Sequence, residues 1–123
     1  MIQASIGVQE DKLWLSMYGH AEGGAYGHDL ICAAATTLAY TLAQVVTNMD
    51  ERGELKEAPA VHIIQGEAQI SFRPRDAEPG RITMEVLRAG LGCLAHNYPQ
   101  NISLFFIGNC DNSREHKTEE PLA

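Results

Sequence analysis

Hydrophobic positions change their period several times along this chain, and each change predicts an element. Ile2, Ala4, Ile6 and Val8 alternate with Gln3, Ser5 and Gly7; after the polar break Gln9-Glu10-Asp11, Leu13, Leu15 and Met17 alternate with Trp14, Ser16 and Tyr18. Two period-two runs around a short polar break read as a β-hairpin. From Asp29 to about Glu51 the spacing lengthens to three and four, with Ile31, Ala35, Leu38, Leu42, Val45 and Met49 on one stripe of a long helix. Ala34, Ala39 and Ala43 beside that stripe are small enough to admit another helix. A charged linker, 53–59, precedes two short apolar runs, Val61 to Ile64 and Ala68 to Phe72, which flank the turn Gln65-Gly66. Pro74 and Pro79-Gly80 are expected to break the chain ahead of a second helix, roughly Ile82 to Tyr98, whose stripe is Met84, Leu87, Leu91, Leu94 and Tyr98. Gly90 and Gly92 each weaken that helix by about 1 kcal/mol relative to Ala, which points to a packing contact. Ile102 to Ile107 is a last strand.

The order β-β-α-β-β-α-β predicts an α+β domain of two layers, a mostly antiparallel sheet with two helices packed on one face. Residues 1–110 form a single domain in this reading, and the polar tail 111–123 is expected to be disordered. A chain of 123 residues with 45% apolar content buries an ordinary core without disulfide staples. Its three cysteines, at 32, 93 and 110, form neither a disulfide framework nor a C-x-x-C pair. Gln3, Ser5, Glu10, Asp11 and Lys12 interrupt any signal-peptide core, and no apolar run is expected to span a membrane, so a reducing cytoplasm is the expected compartment. The net charge of −7 argues against direct nucleic-acid binding and favours a basic partner, though weakly.

The candidate chemistry lies in Tyr18-Gly19-His20-Ala21-Glu22-Gly23-Gly24-Ala25-Tyr26-Gly27-His28-Asp29-Leu30-Ile31-Cys32. A histidine and a cysteine stand twelve residues apart across a glycine-rich loop that runs into a helix. A thiol attacks as the thiolate, a form favoured by a nearby imidazole and by the positive end of a helix. Asp29 is a good N-cap residue; if it caps the helix, Cys32 falls at the third helical position, where backbone N–H groups lack intrahelical partners. The blander readings are a buried apolar Cys32, a His20 that merely ends a strand, and an Asp29 that only caps. His28 could assist or compete with His20. Cys93 reads as core, while His62, His96 and His116 read as ordinary. Trp14 and Tyr18 share a strand face and either line a groove or cover the sheet.

Gly19-His20-Ala21 followed by Gly27-His28-Asp29-Leu30-Ile31-Cys32-Ala33-Ala34 resembles the signature of the ribosomal-processing cysteine proteases, the Prp family. The resemblance implies a cysteine endopeptidase that removes the N-terminal extension of large-subunit ribosomal protein twenty-seven, with His20 as base and Cys32 as nucleophile. It also implies a homodimer; no cofactor and no metal are expected. Gly19, Gly27, Asp29 and Thr36 would support the dyad; Thr36 stands where the family usually has Ser, one turn beyond the cysteine. The loop Ala21, Glu22, Gly23, Gly24, Ala25, Tyr26 and His28 would cover the substrate. Three other readings remain open: zinc held by His20, His28 and Cys32, an anion site at the glycine loop, and a catalytically silent relative that only binds a ribosomal partner. A viral structural protein is the alternative substrate. The absence of Lys or Arg between Lys12 and Arg52 counts against the anion site.

Overall fold

The computed structural model of the chain describes the backbone of residues 1–19 and 26–108 and the side chains of residues 1–19 and 30–108. His20, the loop residues Ala21 to Ala25, Cys110, His116 and the 111–123 tail lie outside the described residues. The elements are β1 (Ile2–Gln9), β2 (Lys12–Tyr18), α1 (Tyr26–Glu51), β3 (Ala60–Ile64), β4 (Glu67–Phe72), α2 (Ala77–Asn97) and β5 (Ile102–Ile107). One sheet holds all five strands in the order β3-β4-β2-β1-β5. Its neighbours are antiparallel except β5, which runs parallel to β1. A parallel neighbour needs a crossover. Here α2 supplies it, carrying the chain from β4 across β2 and β1.

Strand alternation divides the sheet into two faces. Ile2, Ala4, Ile6, Leu15, Met17, Ala68, Ile70, Phe72, Ile102 and Leu104 are buried against Ile31, Ala35, Ala39, Leu42, Val46 and Met49 of α1 and Leu87, Leu91 and Ala95 of α2. Each fully buried large aliphatic side chain contributes on the order of 1.5–3 kcal/mol. The stripe on α1 differs from the sequence expectation. Ala39 and Val46 are completely buried, whereas Leu38 and Val45 are only partly buried. A strict seven-residue repeat drifts round a straight helix by about 20° per heptad, so the core-facing line shifts to neighbouring positions. Ala39 thereby serves the core instead of a helix–helix approach. Leu30–Glu51 is long and apolar enough to cross a membrane, contrary to the sequence expectation, but here its apolar stripe lines the core.

The close helix contact comes from α2. A Cβ on Gly90 would sit 3.0 Å from Cδ2 of Leu38, so the glycine makes room for that leucine, as its cost within a helix suggested. The second helix also begins five residues earlier than expected, at Ala77. Pro79 is its third residue, where the missing N–H is one of those without an intrahelical partner in any case. Gly80 is buried, and a Cβ there would lie 2.7 Å from Cγ of Pro74 and 2.8 Å from Cδ1 of Leu13. These residues fit the helix start to the sheet, and do not break it. Cys93 is exposed, not core, because it lies two residues from the buried Leu91 and Ala95, about 200° round the helix. Tyr98 is half-exposed beyond the helix end. The charged linker is pinned: Leu55 is buried, Lys56 N–H donates to the Arg73 carbonyl at 2.8 Å, and Arg75 N–H donates to that of Glu54 at 2.9 Å.

Candidate active site

The path to the candidate base is set by Gly19. Its φ is +100°, a region that favours glycine, and its N–H donates to the Gly66 carbonyl at 2.9 Å. A Cβ there would press on the carbonyl of Met1. The end of β2, the start of β1 and the β3–β4 turn therefore meet at the residue before His20. Periodicity could not reveal this requirement; the resemblance alone singled out Gly19. Gly66, with φ +83°, is a turn glycine whose second task, accepting from Gly19, gave no sequence signal.

Cys32 lies on α1, half-buried against the core cluster and next to the buried Ile31. Its position in the helix corrects one expectation. The helix starts at Tyr26, so Tyr26, Gly27 and His28 belong to its first turn and not to the loop. Asp29 lies inside the helix and does not precede it as the cap. Cys32 is consequently the seventh helical residue, and the regular i to i−4 pattern gives its N–H the carbonyl of His28 as partner. In this conformation that N–H is not one of the unsatisfied donors expected at a helix start.

Leu38, packed toward Gly90, marks the side of α1 that faces α2. At about 100° per residue, Cys32 lies roughly 120° round the helix from Leu38, on the other flank. Thr36, one turn further, is exposed. The α1 helix packs on β4 while α2 packs on β5 and β1, so the Cys32 flank looks toward the β3 margin of the sheet. Trp14 and Tyr18 are on the opposite face, away from both helices. The Trp14 ring lies across Gly7, whose Cβ would be 2.6 Å from Cζ2, and the Tyr18 hydroxyl accepts from the Gln69 amide. They cover the sheet and do not adjoin Cys32. Among the described residues, no group of three His, Cys, Asp or Glu could hold a metal ion; the zinc alternative turns on His20 and His28, whose side chains are not described.

A two-layer α+β domain with a half-buried cysteine in its first helix suits a small thiol peptidase. The chain belongs to the cysteine protease Prp family, whose sequence model matches residues 1–103; it is a cysteine endopeptidase of the ribosomal-processing type. It is 24% identical over 90 residues to the ribosomal processing cysteine protease Prp of Staphylococcus aureus, covering 72% of this chain and 80% of that protein. The crystal structure of the S. aureus protease with a covalently linked product peptide is similar in fold, with a TM-score of 0.65 at 25% identity, over 86% of this chain and 99% of that one. SMU.848 from Streptococcus mutans shares the fold at a TM-score of 0.62 and 24% identity, over 88% of this chain and 95% of that one.

Proposed function

We propose that this protein removes the N-terminal extension of large-subunit ribosomal protein twenty-seven by acyl transfer through a thioester. Family membership carries the reading, and the covalently linked product peptide of the S. aureus relative supports it. His20 takes the proton from Cys32, and the thiolate attacks the scissile carbonyl to form a C–S bond. The C–N bond then breaks as His20⁺ protonates the leaving amine, and water, activated by the same imidazole, hydrolyses the thioester. Backbone N–H groups at the start of α1 stabilise the oxyanion. For Cys32 to contribute its own N–H, the turn from Tyr26 to His28 must open on substrate binding and leave Asp29 as the new cap.

Reactivity, not exposure, distinguishes the nucleophile. Of the two described thiols Cys93 is the more exposed, yet a chloromethyl ketone on a peptide copying the extension should label Cys32 and leave Cys93 unmodified. Labelling that follows exposure instead would contradict the dyad.

A further inference from the structure

The strand nearest the Cys32 flank is a sheet edge. β3 ends the sheet, and among the described residues its sheet neighbour is β4 alone. Edge strands usually carry charges or proline that prevent further pairing, but Ala60-Val61-His62-Ile63-Ile64 has neither. The opposite edge differs, because Arg88 lies 4.1 Å over the Phe106 ring of β5. On β3 the residues facing the helix layer are Val61 and Ile63, opposite Ile70 and Ala68. Their partners are buried, yet Val61 is 44% exposed and Ile63 is half-buried. This follows from α1 sitting over β4, which leaves an apolar margin between β3 and the helix flank bearing Cys32 and Thr36.

The two walls of that margin also meet at the correct end. α1 finishes at Glu51, and Leu55 then bridges Pro74 at the far end of the sheet, so the N-terminal turns of α1 lie toward Gly66. The Gly19 to Gly66 hydrogen bond ties that end of the β3–β4 hairpin to the residue before His20. At the Pro74 end of the sheet Lys56 is paired with Asp11, and Arg73 with Asp11 and Glu57.

We propose that β3 is the substrate-docking strand. An extended apolar peptide pairs its backbone with the outer edge of β3, lays alternate side chains on Val61 and Ile63, and so carries its scissile bond past Cys32. Val61 and Ile63 are then specificity-determining residues. The proposal rests on the protease reading, and its test separates the two. A fluorescein-labelled peptide copying the N-terminal extension of the organism's own ribosomal protein twenty-seven is titrated into the Cys32→Ala protein, where binding does not depend on turnover. Val61→Asp should weaken binding at least about tenfold with an unchanged melting temperature, whereas Val61→Leu should bind normally, and N-methylation along the peptide should weaken binding at every second residue. Absence of binding, or binding indifferent to Val61→Asp and to methylation, overturns the docking strand. Binding with the expected pattern, but no cleavage of the same peptide by the unsubstituted protein, overturns the protease reading and leaves the docking strand standing.

Discussion

At the residue scale, function and backbone geometry make separable demands. Cys32→Ala should abolish peptide cleavage with the fold intact, while Cys93→Ser, at an exposed position of α2, should retain it. His20→Ala should slow cleavage by about 10²-fold or more, the usual loss when a general base is removed, and His28→Ala should do much less. Rates from single-turnover experiments check both. Gly19→Ala tests the path into the site. It places a methyl group against the Met1 carbonyl at a φ of +100°, at a cost on the order of 1–3 kcal/mol. Calorimetry should show a lower melting temperature, and cleavage should fall as well. His20 and Cys32 stood out as candidates because a short motif sets them twelve residues apart across a glycine-rich loop. The need for glycine at position 19 was not legible, because it arises from Met1 and Gly66, remote positions that the sheet brings together.

At the element scale, period two located β1 and β2, short apolar runs located β3, β4 and β5, and period 3.6 located both helices, but not the helix starts. α2 extends back through Pro79-Gly80 because a proline in a first turn loses no hydrogen bond, and because Gly80 must be small beside Pro74 and Leu13. α1 extends back to Tyr26 through Gly27, a residue that local propensity disfavours in a helix. If catalysis requires this turn to open so that the Cys32 N–H is freed, strengthening it must be harmful. Gly27→Ala should favour the closed helix by about 1 kcal/mol and slow cleavage several-fold without lowering the melting temperature. Circular dichroism and single-turnover rates check this together. Faster or unchanged cleavage would mean that the turn stays helical during the reaction.

At the scale of the whole molecule, the sheet order was the least legible feature. Alternation predicted which residues share a face, but β2 pairing with β4, and β5 lying parallel beside β1, depend on the α2 crossover and on the joint core of both helices. Long-range ion pairs were hidden for the same reason. Asp11, in the β1–β2 turn, accepts from Lys56 at 2.7 Å and from Arg73 at 2.9 Å, and these bonds lower its carboxyl from 3.8 to about 2. A carboxylate lowered in the folded state stabilises it at pH values above the unfolded value, and that contribution is lost as pH falls from about 4 toward 2. Asp11→Asn should therefore flatten the acid limb of the stability curve between those values. The difference should shrink in high salt, because the pairs are exposed and screened.

The central claim is that this domain hydrolyses the ribosomal extension through Cys32. The most direct measurement is mass spectrometry of a peptide copying the N-terminal extension of the organism's own ribosomal protein twenty-seven, incubated with the unsubstituted protein and with Cys32→Ala. One cleavage, following an apolar stretch that ends in an aromatic residue, is expected with the unsubstituted protein and none with the variant. An intact peptide in both, or equal cleavage by Cys32→Ala, would contradict it.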